Sequence, residues 1–269
     1  MHRPDIDKGI YRNQPQGYYN QTWADYDPPP ITAQPVSNFS SPYNAPQGLE
    51  KLQNINTVRI HQLYGFCDFI SSVSTKTRYK IHDESRNMVY YAFEESGCCA
   101  RCCCSTQRGF KMHVVDTDRR EVITVLRPYK MFGGYCLGVC AGTECCAQEC
   151  EILTQQATAA HVTQLPGNCA PLFDIRVANG KSNLHVSMPS CLALCGCCND
   201  KEFEIQTPDG NQVGTIVKEF TGCCQEMCTD AHHYEINFPQ NSDVVTKASL
   251  IGIVFLLDFM YFDKYKAFR

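Results

Sequence analysis

The sequence predicts a mainly β protein: a closed antiparallel barrel of twelve strands around a C-terminal hydrophobic helix, preceded by a disordered tail. Three observations point there. A hairpin pattern recurs five times between residues 79 and 217, two single strand-like segments flank it, and one apolar stretch follows near the C-terminus.

Residues 1–48 are rich in Pro, Gln, Asn, Tyr and Ser, with PPP at 28–30 and hardly an aliphatic run. Such a composition cannot offset the entropy of folding, so this tail is expected to be disordered. Its functional reading is a docking segment for SH3 or WW domains, although it holds no strict P-x-x-P or P-P-x-Y. Trp23, the single tryptophan, is a candidate short-motif anchor within it.

The folded domain is expected over 49–269. It opens with VRIHQL (58–63), which alternates as a half-buried strand does. YKIHDESRNMVYYAF (79–93), FKMHVVDTDRREVITVL (110–126), FDIRVANGKSNLHVSM (173–188) and FEIQTPDGNQVGTIV (203–217) share one plan. Each has an aromatic start, alternating apolar positions, a polar turn carrying Asp, Asn or Gly, and a β-branched return. CEILTQQATAAHVTQL (150–165) is a copy with eroded turn chemistry, and HYEINF (233–238) supplies the last strand. So many antiparallel strands avoid exposed edges by closing on themselves.

ASLIGIVFLLDFMYF (248–262), within a helix expected over 246–262, is apolar on every face except for Asp258. Such a helix is buried in protein or placed in lipid. Fifteen residues span about 22 Å, short of the roughly 30 Å hydrocarbon core of a bilayer. A barrel of this strand count needs its interior filled, so geometry favours a plug bearing Leu250, Ile253 and Leu257, with a membrane span as the alternative.

Composition narrows the function classes. At 269 residues with a formal net charge of −4, and no long basic run, nothing advertises nucleic-acid binding. Nineteen cysteines would suit a secreted disulfide framework, yet MHRPDIDKGIYRNQPQG has no apolar h-region or cleavage site. The thiols are therefore expected to face the cytosol, free, metal-bound or acylated. Most fall between the hairpins: GCCARCCCS (97–105), YCLGVCAGTECCAQEC (135–150) and CLALCGCC (191–198).

The segment from GLEKL at 48, the Cys-Cys pairs, TDAHHYEINFPQNSD and KASLIGIVFLLDFMYFD together resemble the phospholipid scramblases, which belong to the tubby-like barrel class. The resemblance covers about residues 46–263. It implies a cysteine-acylated barrel that moves phospholipids between bilayer leaflets, dependent on calcium and independent of ATP. It also implies a plasma-membrane location with the barrel in the cytoplasm. For the C-terminal helix it implies both roles, plug and span.

The family's calcium segment falls on DAHHYEINFPQN, with Asp230 first, Tyr234 fifth, the Ile236 carbonyl seventh and Asn241 last. His232 stands where an aspartate is usual, and Asn241 where an acid is usual. Imidazole is a poor ligand for a hard cation, so calcium is expected to bind weakly, with Glu235 and Asp243 nearby to compensate. On this reading, aspartate at 232 and 241 would tighten binding. As plain structure, the same stretch is a strand leading to a turn at Pro239.

For the thiols, zinc is one reading: Cys99 and Cys102, like Cys195 and Cys198, have C-x-x-C spacing. Acylation is favoured, because the two pairs lie far apart and clustered cytosolic cysteines beside apolar residues are its usual substrates. The family's dense acylation run is diluted here to Cys136, Cys140, Cys145 and Cys146, whereas Cys98, Cys99, Cys102, Cys103 and Cys104 are denser, near Arg101 and Arg108. The family's nuclear-import stretch reads VGTIVKEFTG, with Lys218 its single base.

No paired carboxylates, nucleophile elbow or phosphate loop marks an enzyme. Two readings stand: a scramblase acting on membrane phospholipids, and an acyl-anchored adaptor without transport. A single short helix builds no hydrophilic track alone, so transport would call for a homo-oligomer.

Overall fold

The computed structural model describes residues 46–63, 77–95, 108–130, 143, 146–155, 157–166, 170–178, 183–188, 199–220 and 232–262. Of the tail expected to be disordered, 1–45 lie outside these residues, whereas 46–48 are described and Gly48 accepts from the Tyr90 hydroxyl at 2.8 Å. Twelve strands follow in order: β1 (Thr57–Leu63), β2 (Arg78–His82), β3 (Met88–Glu95), β4 (Phe110–Asp116), β5 (Glu121–Arg127), β6 (Glu149–Thr154), β7 (Thr158–Gln164), β8 (Leu172–Val177), β9 (Asn183–Ser187), β10 (Lys201–Gln206), β11 (Gln212–Glu219) and β12 (His233–Asn237). Helix α1 (Val244–Leu257) continues into a π-helical turn, Asp258–Phe262, and a 3-10 turn, Glu50–Leu52, precedes β1. Each strand pairs antiparallel with its chain neighbours, and β1 pairs with β12, so the barrel is closed, as expected.

The repeated turn text becomes repeated geometry. In DESRN, DTDRR and TPDGN the first residue accepts a backbone bond from the fourth: Arg86 N–H to Asp83, Arg119 N–H to Asp116, and Gly210 N–H to Thr207. The fourth residue is left-handed each time, with φ of 65° at Arg86, 64° at Arg119 and 84° at Gly210. The register slips by a bulge just before each turn, at Ile81/His82, Val114/Val115 and Ile205/Gln206. A type I turn followed by a left-handed residue and a bulge matches the right-handed twist of the flanking strands.

Alternation sends Val58 and Ile60, Tyr79 and Ile81, Met112 and Val114, Phe203 and Ile205, and Tyr234 and Ile236 inward, all of them buried. Helix α1 shares their single apolar cluster. Its side chains meet strands on every side: Phe255 lies 5.0 Å from Tyr79 of β2, Phe259 stacks 4.3 Å from Phe110 of β4, and Phe262 meets Phe203 of β10 and Tyr234 of β12. Leu250, Ile253 and Leu257 have no exposed surface. The helix is therefore a plug. By length and composition Val244–Phe262 could cross a membrane, but 83% of its apolar window is buried in the protein. Gly252 lets it approach the wall, since a Cβ there would stand 2.6 Å from Ile152 Cδ1.

Asp243 starts the helix by accepting from the Thr246 N–H at 2.7 Å, filling one of the vacant donors of the first turn. Lys247 is buried one turn in, where its charge is doubly unfavourable. Its ammonium donates to the carbonyls of Leu52 (2.9 Å), Gln53 (3.2 Å) and Ile55 (2.7 Å). These bonds hold the 3-10 turn beside the helix N-terminus. Burial lowers the Lys247 pKa from its ordinary value.

Replacing Ile253 by Asp would place an unpaired charge in the filled lumen, at a cost of several kcal/mol. The expected outcome is loss of the cooperative melt in detergent-free buffer. A wild-type-like melting curve there would exclude the plug.

Candidate functional site: the polar rim at the helix end

Strand direction sorts the connections onto two rims. One carries the short turns after β2, β4, β6, β8 and β10. The other carries the connections after β1, β3, β5, β7, β9 and β11. Eighteen of the nineteen cysteines fall in those latter connections, and Cys150 is the second residue of β6 at the same end. The strand ends that bound these connections stand at the rim toward which the C-terminal end of α1 points. Cys98, Cys99, Cys102, Cys103, Cys104, Cys136, Cys140 and Cys145 lie outside the described residues, as do Cys195 and Cys198. Cys146 is half-buried and Cys150 fully so. Burial pushes the Cys150 thiol up to about 12, which leaves it inert as a nucleophile.

Inside this rim the lumen turns from apolar to polar. The centre is Asp258, 1% exposed, where α1 becomes π-helical. Its Oδ1 accepts from the Tyr234 hydroxyl and lies against His232 Nδ1, each at 2.6 Å, and its Oδ2 accepts from the Tyr79 hydroxyl. Burial alone would raise the Asp258 pKa. The His232 imidazole and the three hydrogen bonds outweigh it and hold the carboxyl below its usual range.

Around this knot lie further buried polar groups. Glu94 accepts from Arg108 at 3.0 and 3.4 Å, and the Arg108 guanidinium lies 4.4 Å over the Phe259 ring. Arg127 donates to Gln148 at 2.5 Å, and the Gln148 N–H donates to the Gln164 side chain. Lys218 Nζ stands 5.1 Å over Phe262. At the edge of this layer, where β5 and β6 part beyond Leu126 and Glu151, a cavity of about 390 Å³ opens between Phe110, Arg127, Cys150 and Val162. Its lining also includes Glu149 and Glu151, so one cation, two carboxylates and apolar side chains share the opening.

The calcium segment divides differently from its reading in sequence. His232 and Tyr234 are drawn together, but on Asp258. Ile236 lies in the ladder between Val58 and Ile216. Asn241 is the left-handed residue of the following turn (φ 58°), and the Asp243 carboxylate caps the helix. Asp230 lies outside the described residues, among which no group of three or more His, Cys, Asp or Glu side chains could hold a metal. The described donors as placed do not form a calcium shell.

A scramblase family profile matches residues 36–264. The chain belongs to the scramblase family. It is 37% identical to phospholipid scramblase 2 of Bos taurus over 224 residues, covering 82% of this chain and 73% of that protein. Phospholipid scramblase 1 of Homo sapiens is likewise 37% identical, covering 82% of this chain and 68% of its own length. Phospholipid scramblase family member 5 of Homo sapiens is 34% identical over 262 residues, covering 97% and 90%. No solved structure matches the chain.

Within this scramblase-family fold, sequence reasoning singled out both Asp258 and His232 but not their contact. It missed Lys247, Tyr79 and the Glu94–Arg108 pair. The one available signal was an acid in an apolar helix, which demands a partner.

Replacing His232 by Asp would set a second carboxylate against Asp258, so it should destabilise the barrel by several kcal/mol. The expected urea midpoint is well below wild type, the reverse of what a calcium-ligand role predicts. Wild-type stability with tighter calcium binding would restore that role.

Proposed function

We propose that this chain moves phospholipids between the leaflets of a membrane to which acyl chains on its cysteine rim attach it. Membership of the scramblase family is the observation that carries the reading. Relatives named phospholipid scramblases bring the substrate class, membrane phospholipids.

The polarity of the wall supports attachment from outside the bilayer. A membrane-spanning barrel is apolar outside and polar within. Here the apolar side chains face the lumen, and Arg59, Lys111, Glu151, Arg176, Glu202 and Glu235 face outward without being buried. Tyr129, at the cysteine rim, is the one large hydrophobic residue that is exposed among the described residues. That eighteen cysteines fall in connections bounded by one rim favours acylation there, over zinc, because two or more chains on one face anchor together. Dependence on calcium, independence of ATP, a plasma-membrane site, a cytoplasmic barrel and SH3 or WW partners of the tail belong to the proposal.

One observation favours a second reading, an acyl-anchored adaptor. The lumen is filled by α1, so no headgroup passes through a single barrel, and transport requires a path outside it, between copies of the chain or along the bilayer edge.

Purified full-length chain reconstituted into liposomes with labelled phospholipid should make inner-leaflet label accessible faster than empty vesicles do, with calcium and without ATP. Unchanged accessibility with intact attachment would leave the adaptor.

Hydroxylamine, or Cys98, Cys99, Cys102, Cys103 and Cys104 changed together to serine, should release the chain from membrane fractions. Unchanged partitioning would exclude thioester anchoring.

A further inference from the structure

On the outer face of the wall, between the inward-facing Met112 and Val114 of β4, His113 is only 2% exposed, and both of its ring nitrogens meet carboxylates. Its Nδ1 lies 2.6 Å from Glu121 Oε1 on β5, and its Nε2 lies 2.7 Å from Glu95 Oε2 on β3. A neutral imidazole carries a single N–H, so it donates to one carboxylate and turns a lone pair on the other. Only the imidazolium makes both bonds at once. It then joins three strands through side chains as well as through their backbone ladder.

Around the ring, β3 offers Glu95, β4 Lys111 and β5 Glu121, and Phe93 of β3 stacks on it with centroids 5.1 Å apart. Arg78 of β2 stands opposite Phe93 in register, on the far side of that ring, and Leu153 of β6, opposite Thr124, brings no charge. Glu121 is 25% exposed and also accepts from the Thr124 hydroxyl, while its backbone carbonyl accepts from the Gln155 amide. Glu95 is 62% exposed, with the Lys111 ammonium 3.5 Å away as a second partner. When the ring is neutral, Glu95 is therefore the carboxylate that leaves, because water and Lys111 can receive it.

Glu95 is the last residue of β3, where the chain enters the connection that carries GCCARCCCS (97–105). The two ends of that connection are already tied on the inner side, Glu94 to Arg108 at 3.0 Å, both buried. We propose that His113 is a proton-dependent clasp on the outer side of the same strand end. Its imidazolium pins Glu95, and with it the root of the thiol-rich connection, to the wall; loss of the proton releases that root while the inner Glu94–Arg108 pair keeps the strand in place. The plug is untouched. What changes is how firmly the strand end that leads into the thiols is held.

The charge states agree with this geometry. Burial opposes charge on His113, but its bonds to Glu121 and Glu95 prevail and raise its pKa from 6.5. The bond to His113 holds Glu95 below the usual carboxylate range. Burial pushes Glu121 the other way, yet its bonds to His113 and Thr124 outweigh it and lower that pKa too. A group whose pKa rises on folding contributes stability that is complete below the unfolded value and lost as pH rises through the folded one. The clasp is therefore closed below pH 6.5, as long as the carboxylates stay ionised, and opens as the pH rises through the raised value.

The test is hydrogen exchange of the full-length chain by mass spectrometry at pH 6 and pH 9, corrected for intrinsic rates. On going to the higher pH, protection of peptides covering 88–95 should fall about tenfold more than that of 201–206 and 212–219. Glu95→Gln alters an exposed side chain, and its amide can accept from a ring N–H or donate to a bare ring nitrogen. That variant should keep its protection at pH 9 as high as at pH 6. A fall of equal size in all strands, or a difference that survives in the variant, overturns the proposal. So does a titration of wild-type His113, followed by its ring-proton NMR signals, with a midpoint at or below 6.5.

Discussion

An apolar lumen cannot stay empty, and the whole chain is arranged around filling it. Twelve strands turn half of their side chains inward, leaving a space too wide for those side chains alone to close. Helix α1 fills it, which is why the helix is apolar all round where a surface helix would show a polar face. Each polar group it carries is then a problem to be solved inside the barrel. Lys247 is met at one end by three carbonyls, and Asp258 at the other by two tyrosines and a histidine. These two clamps lie on opposite ends of the helix and fix its depth as well as its presence.

Filling the lumen divides the labour between the rims. Three of the turns on one rim repeat, with Arg86, Arg119 and Gly210 all left-handed, as the tight reversal of adjacent strands requires. The opposite rim bounds the longer connections, whose sequence holds every cysteine but Cys150, and carries the buried cations Arg108, Arg127, Lys201 and Lys218. One end thus meets the demands of folding, and the other is left free to carry chemistry. A barrel that is charged outside and apolar within has no reason to enter lipid by its wall, so an attachment at one rim is the arrangement its polarity permits.

The strands and the helix were legible in sequence because their signals are local. Alternation in FKMHVVD and VYYAF and the turn residues between strands act over a few positions, and the composition of α1 needs no partner to be read. The polar contacts were not legible, because they join residues that closure alone brings together. Asp258 meets Tyr79 from 179 positions away, and His61 meets His233 from 172. In a single sequence nothing ties such positions to each other. Hence His232 reads as a poor calcium ligand when taken with Asp230 and Tyr234, and as the partner of a buried acid once β12 stands beside α1.

That second role bears on why a histidine suits position 232. With an aspartate at 232, Asp258 would face a second buried carboxylate, which the lumen could hold only by leaving one of the two protonated. Histidine removes the conflict, because a ring nitrogen can donate to Asp258 while the strand continues undisturbed. His232 and the buried acid are therefore coupled through space. A histidine that weakens an ion site when read along the chain strengthens the plug when read across the barrel. If lipid is to move, its path must then run outside a lumen that this contact helps to keep shut.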